Sequence, residues 1–371
     1  MASQGLRPIL ESKKNIFLKR DRWCSHGSTR CVVYAKENIE SLTVLADQTQ
    51  QLCTEICKNQ YMVSTDCHHP NPLHQATKKG LFQVCQLILE NIEDKGQHNK
   101  LGKIPLHYAA NHKHSEMCWS LYENFREKNP KSDDSKTPLH FAAQNGLAEL
   151  CKFILENVQE KNPKQKYGMT PLHYAAQYGH SKICKLILEY VQEKNPKNYS
   201  DKTPLHYAAQ YGCSDICHLI LENVQEKNPK DDCGLTPLHF AAQNGLSDIY
   251  QLILENVEEK NPECEVGCTP LHYAAQFGHS NICQLILVNV QEKNPNCFNG
   301  FTPLHYAAES GNLEICQLIL QRVQEKNPIN YYGFTPLHYS LEVLRKRIPE
   351  ITMVTLLCTL LLKMDTPKYA S

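Results

Sequence analysis

The chain has 371 residues, 41% of them hydrophobic, and its 39 basic residues balance its 39 acidic residues to a formal net charge of zero. A zero balance argues against a dominant role in binding nucleic acid or anionic membranes, since both attract proteins with a basic excess. The first fifteen residues carry charges throughout and have no continuous apolar core, so we expect no secretory signal there.

The first seventy residues show no sign of the pattern that fills the rest of the chain. Residues 1–35 are polar and without periodicity, and we expect them to be poorly ordered. Residues 36–70 have apolar residues at broken helical spacing, which predicts a helical cap for the units that follow. A zinc site is the alternative interpretation, but no C-x2-C pair is present, so we predict no metal site. The residues behind that alternative are Cys24, Cys31, Cys53, Cys57, Cys67, His68 and His69.

A stretch reading TPLHYAAQYGH from Thr170 recurs along the chain, and each copy starts 33 residues after the one before. A fixed period of this length is typical of a solenoid, in which each unit contacts only its neighbours. Residues 71–334 hold repeats one to eight, and residues 335–371 hold an atypical ninth repeat, a cap helix and a tail. The nine copies start at Asn71, Ile104, Thr137, Thr170, Thr203, Thr236, Thr269, Thr302 and Thr335.

Each copy predicts two helices. Thr170 is suited to the N-cap and Pro171 to the first helical position, while Gly179 is suited to the left-handed conformation that ends a helix. A second helix is predicted from about Ser181 to Lys194, because apolar residues recur there at helical spacing. The sequence therefore predicts an all-α fold.

The Thr-Pro-Leu-His-x-Ala core at this period resembles the ankyrin repeat, over about residues 71–364. The resemblance implies a solenoid of stacked helix-turn-helix units with hairpin-like loops. One departure is systematic: Val191 and its equivalents stand where the family usually has glycine, which predicts a second helix about one turn longer. The resemblance also implies that the recurring histidine bonds within and between repeats. These histidines include His140, His173, His206, His239, His272 and His305.

Seven of the 18 cysteines occupy one position of the repeat, with Tyr250 at the same position in another copy. This position lies on the apolar face of the second helix, where a free cysteine behaves as a small hydrophobic residue. Many unpaired thiols indicate a reducing compartment, so we expect the protein in the cytoplasm or the nucleus. The seven residues are Cys85, Cys118, Cys151, Cys184, Cys217, Cys283 and Cys316.

The chain contains no nucleophile elbow, phosphate-binding glycine loop, H-E-x-x-H or kinase motif, so we predict no enzyme and no cofactor. The resemblance implies instead a protein partner on the concave face and the hairpin tips, where exposed aromatic residues favour binding. The predicted partner-binding residues are Tyr178, Tyr211, Phe277, Asn145 and Asn244 on the first helices, and Tyr167, Tyr199, Phe298, Tyr331 and Tyr332 at the tips.

Two alternatives involve the ends of the chain. Residues 1–70 could recruit an effector, such as an enzyme of the ubiquitin pathway, while the repeats select the target. The segment 351–362 is apolar around most of a helix, which is unusual for a cap. It predicts a surface for self-association or for apposition to a membrane, although it is too short to span a bilayer.

Overall fold

The computed structural model describes residues 72–91 and 98–347, and within these ranges the chain forms seventeen α-helices and no strand. The prediction of an all-α fold is therefore confirmed. The N-terminal segment, the predicted cap, the zinc alternative and the apolar segment 351–362 lie outside the described residues. In chain order the helices are α1 (Pro72–Lys79), α2 (Phe82–Asn91), α3 (Pro105–Asn111), α4 (Ser115–Asn124), α5 (Pro138–Asn145), α6 (Ala148–Asn157), α7 (Pro171–Gln177), α8 (Ser181–Tyr190), α9 (Pro204–Tyr211), α10 (Ser214–Asn223), α11 (Pro237–Gln243), α12 (Ser247–Asn256), α13 (Pro270–Phe277), α14 (Ser280–Asn289), α15 (Pro303–Ser310), α16 (Leu313–Leu320) and α17 (Pro336–Arg347).

The chain divides into two units, residues 1–174 and residues 175–371. In the first unit α1 packs against α3 and α3 against α5, and in the second the series α9, α11, α13, α15 and α17 packs in the same way. First helices also pack against the second helix of their own repeat, as α9 does against α10. The paired alanines of the repeat, such as Ala241 and Ala242, are fully buried, because small side chains allow the first helices to approach closely.

The first helices begin and end as the sequence predicts. Thr137 is the N-cap of α5, Pro138 follows at the first helical position, and Gly146 ends the helix at φ 80° in the left-handed conformation. In the ninth repeat no glycine follows the corresponding helix, and α17 continues for 12 residues where the other first helices have seven or eight. Glycine is not required for this ending, since α3 also ends after seven residues where Lys113 takes the left-handed conformation at φ 62°.

The prediction of a longer second helix is wrong. The helix predicted to run to Lys194 ends at Tyr190, and Val191 is a C-cap residue with extended backbone at φ −99° and ψ 146°. Its side chain remains buried, so the apolar pattern continues beyond the helix. The ammonium of Lys194 donates to the carbonyl of Leu188 in the last turn. A β-branched residue favours extended backbone, and the lysine satisfies a carbonyl that further helix would otherwise have bonded.

The cysteine position of the second helices is buried in every described copy, as predicted. The seven cysteines at this position are free and at most 8% exposed. Tyr250 fills the same position in α12, where its larger ring is fully buried. Its hydroxyl has no hydrogen-bond partner within the part of the chain that the structure describes.

We expect Tyr250→Phe to raise the free energy of unfolding by about 1 kcal/mol, because it removes a buried hydroxyl that makes no hydrogen bond. Tyr207→Phe is the matched control, since the Tyr207 hydroxyl accepts a hydrogen bond from Asn198 Nδ2 at 3.0 Å. That change should lower stability by a similar amount. Urea unfolding of both variants tests the pair, and a destabilised Tyr250→Phe would contradict the assignment.

Candidate functional site

The recurring histidine is a structural residue at the base of each hairpin. In α5 the backbone N–H of Thr137 donates to Nδ1 of His140 at 3.0 Å, and the Thr137 hydroxyl lies 3.0 Å from the same nitrogen. Nε2 of His140 lies 3.2 Å from the carbonyl of Met169, the residue just before the next repeat starts at Thr170. The Nδ1 bond recurs at His107, His173, His206, His239, His272, His305 and His338.

These contacts fix the ring as neutral imidazole. Because Nδ1 accepts a backbone N–H, the ring proton is on Nε2, which donates to a carbonyl of the next hairpin. Burial lowers the pKa of His140 to about 3 and those of His239 and His272 to about 4. A ring with both nitrogens bonded to backbone is not available for catalysis or metal binding.

The helix-one surface of the second unit consists of Tyr178, Tyr211, Asn244 and Phe277, at the ends of successive first helices. The three aromatic side chains are between 48% and 52% exposed, and Asn244 is exposed while its Nδ2 donates to the Phe240 carbonyl of its own helix. Gln177 Nε2 donates to the Tyr211 hydroxyl at 3.3 Å, which joins two neighbouring repeats at this point. These side chains present half-exposed aromatic area at regular intervals.

Asn145, in the first unit, has a different environment from the other predicted residues. Its Nδ2 lies 3.1 Å from the carbonyls of both Ala110 and Asn111, at the end of α3. The side chain is half-buried and joins two repeats. Asn145 therefore has a structural role and offers a partner less surface than the half-exposed aromatic residues do.

The hairpin tips of the second unit are five-residue turns that are bonded to one another. We name residues 198–202, 231–235, 264–268, 297–301 and 330–334 the tip row. In each turn the N–H of the first residue donates to the carbonyl of the fifth, as from Asp231 to Leu235 at 2.9 Å. Neighbouring tips are joined by single backbone bonds, from Glu265 N–H to Cys233 (3.0 Å) and from Phe298 N–H to Val266 (2.8 Å). The tip row is thus a continuous, backbone-bonded ribbon.

The predicted aromatic residues at the tips are among the most exposed large hydrophobic side chains of the described residues. Tyr199, Phe298, Tyr331 and Tyr332 in the tip row are between 62% and 77% exposed, and Tyr167 in the first unit is 66% exposed. Phe334, another aromatic residue that the sequence predicts at a tip, is 47% exposed in the last tip. Exposed aromatic side chains on a fixed backbone are typical of binding hot spots.

An apolar cluster beneath the tips was not predicted from the sequence. Cys264, Cys268 and Cys297 are buried together and pack against Tyr273 and Tyr306. The Cys268 thiol lies 3.9 Å from the Tyr306 hydroxyl, and burial is the main reason that its pKa is raised to about 12. A usable sequence signal existed, because Leu235, Cys268, Phe301 and Phe334 stand where earlier tips have Lys136 and Lys202. This cluster packs the buried side of the third and fourth tips of the row against the first helices α13 and α15.

Acidic residues mark the second tip of the row. Asp231 is buried, and its Oδ1 accepts the N–H groups of Cys233 and Leu235 at 3.0 and 2.8 Å. Burial raises its pKa, although the Lys202 ammonium lies 4.0 Å from its other oxygen. Asp231 is therefore a turn residue, while the adjacent Asp232 is exposed.

The sequence of the chain matches one known family over most of its length. A family model described as ankyrin repeats, in three copies, matches residues 42–134, 73–165, 139–231, 223–297 and 285–360. No curated protein matches the chain. In the part of the chain that the structure describes, no helix has the length and apolar character needed to cross a membrane.

Proposed function

Since this chain belongs to the ankyrin-repeat family, we propose that it binds a protein partner through its helix-one surface and hairpin tips and has no catalytic activity of its own. The family is one of protein-interaction modules. The observation that carries the proposal is the row of exposed aromatic side chains on a backbone-bonded ribbon. The role is that of a scaffold or adaptor, and the buried free thiols favour the reducing cytoplasm or nucleus as its compartment.

The physical advantage of this arrangement is pre-organisation. Binding costs free energy for every flexible side chain or loop that becomes ordered at an interface. In the tip row the turns are already closed and joined to their neighbours by backbone bonds. Tyrosine and phenylalanine add a large contact area with only two side-chain torsions to fix. The surface therefore binds with a small ordering cost.

Affinity capture from lysate, followed by mass spectrometry, tests the proposal. The first variant carries Tyr178→Ala, Tyr211→Ala and Phe277→Ala, and the second carries Phe298→Ala, Tyr331→Ala and Tyr332→Ala. We expect at least one variant to lose a partner that the unaltered chain retains, with circular dichroism unchanged. Val288→Ala, which removes an exposed apolar side chain from α14, is the matched control and should retain every partner. Retention by both triple variants would contradict the proposal.

A further inference from the structure

The tips of the second unit change in charge along the chain. Residues 197–202 contain Lys197 and Lys202, and residues 230–235 contain Lys230. No lysine or arginine occurs in the next three tip sequences, which are residues 263–268, 296–301 and 329–334. This end of the tip row therefore lacks side-chain cations that would neutralise a carboxylate within it.

Exposed carboxylates lie in the first tip of this cation-free stretch, at Glu263 and Glu265, and in the tip before it, at Asp232. Asp232, Glu263 and Glu265 are exposed, and no ion pair involves any of the three among the described residues. Asp232 is the main cause of the raised pKa of the exposed Cys233 thiol, and Glu265 also contributes. The negative charge at this point is thus open to a ligand.

The exposed aromatic residues follow directly in the next two tips. The Phe298 N–H donates to the backbone carbonyl of Val266, and the Tyr331 N–H donates to the backbone carbonyl of Asn299 at 3.1 Å. The Tyr331 ring lies against Gly300, where an added Cβ would be 2.9 Å from Cδ1 of the ring. Tyr332 stands edge-on to Phe301, with ring centroids 6.4 Å apart. Along one backbone-bonded ribbon, the exposed carboxylates are therefore followed by exposed aromatic rings.

We propose that the tip row from Asp232 to Tyr332 binds an extended, arginine-bearing segment of the protein partner. This inference rests on the proposed function and specifies its partner. The guanidinium group of arginine pairs with a carboxylate through two parallel hydrogen bonds and also stacks on aromatic faces, so it matches both halves of the ribbon. Lysine, a strongly hydrated point charge, matches only the carboxylates.

The spacing of the tips limits the spacing of the arginines. Packed helices of neighbouring repeats lie about 8–10 Å apart, so Glu265 and the aromatic residues one or two tips later are separated by roughly 8–20 Å. An extended chain covers up to about 3.3 Å per residue, which places successive arginines roughly three to six residues apart. RNA and anionic lipid are unsuitable occupants, because the exposed carboxylates repel phosphate.

Fluorescence anisotropy with the full chain tests the inference. The probe is a fluorescein-labelled peptide of four Arg-Gly-Ser units, compared with peptides that have lysine or glutamate in place of arginine. We expect the arginine peptide to bind about fivefold more tightly than the lysine peptide and the glutamate peptide not to bind. Equal affinity for arginine and lysine peptides would overturn the inference.

Two single variants locate the site without altering the turns. Glu265→Gln keeps the backbone bond to Cys233, and Phe298→Ala removes an exposed ring, so each should weaken binding of the arginine peptide about fivefold. Tyr167→Ala, at a tip of the first unit flanked by Lys164 and Lys166, is the matched control and should bind as the unaltered chain does. Unchanged binding by both Glu265→Gln and Phe298→Ala would also overturn the inference. If the peptide fails to bind while the capture variants lose a partner, this inference falls and the proposed function stands.

Discussion

Lowering the pH from 7 to 4.5 should unfold this protein, because its buried histidines are neutral when folded and bind protons when exposed by unfolding. Burial lowers the pKa of His140 to about 3 and those of His107, His239 and His272 to about 4. In the unfolded chain these side chains have the ordinary value near 6.5. The unfolded state therefore binds more protons between about pH 4 and 6.5, and acid favours it.

The sign and size of the effect follow from the direction of the shift. Stability is complete above about pH 6.5 and is lost as the pH falls toward 4, by about 1.4 kcal/mol per pH unit for each histidine. The four residues His107, His140, His239 and His272 together give a slope of roughly 5.6 kcal/mol per pH unit. Urea unfolding at pH 7.5, 6.5, 5.5 and 5.0 measures it. The same midpoint at pH 7.5 and 5.0 would contradict the buried, neutral assignment.

A single histidine variant separates this effect from general acid sensitivity. His218 is exposed on α10, so His218→Gln is the control for the loss of one imidazole from the surface. His239→Gln removes one buried titrating histidine and should reduce the slope by about 1.4 kcal/mol per pH unit, while lowering stability at pH 7.5. The two variants differ from the unaltered chain by one imidazole each, which makes the comparison direct.

Gly234→Ala should lower the free energy of unfolding by about 3 kcal/mol. Gly234 is at φ +74° in the left-handed region, where a side chain costs roughly 1–2 kcal/mol. An added Cβ would also lie 2.7 Å from the backbone nitrogen of Glu265, the atom that bonds the neighbouring tip. Backbone cannot move aside as a side chain can, so the overpacking adds roughly 1–3 kcal/mol.

Gly333→Ala is the matched control for that clash. Gly333 is the equivalent residue of the last tip in the row, at φ +80°, and an added Cβ there meets nothing within 4 Å. The control should therefore cost only the conformational penalty, about 1–2 kcal/mol. Urea unfolding of both variants gives the difference, and equal losses would show that contact between neighbouring tips has no energetic weight.

The fold could be predicted from the sequence because its signals are local and repeated. Thr137, Pro138 and Gly146 mark the two ends of a first helix through N-cap, ring and left-handed preferences that need no distant contact. The buried face of each second helix could be read from apolar spacing alone. The end of the second helix could not. Val191 continues the apolar pattern but has an extended backbone. Its burial therefore does not show that the helix extends to it.

For the surface too, the sequence determined one part and the tertiary structure another. The sequence by itself determined which tips carry aromatic residues, and it made Tyr178, Phe298 and Tyr331 candidates for partner binding. Only the tertiary structure decided that Asn145 is bonded to the preceding repeat and that Cys268 lies in an apolar cluster beneath the tips. Contacts between repeats join residues about one period apart in the chain, and a pattern within one repeat cannot specify them. Local preference therefore determines the helices of each repeat, and packing between neighbouring repeats determines the surface that they present.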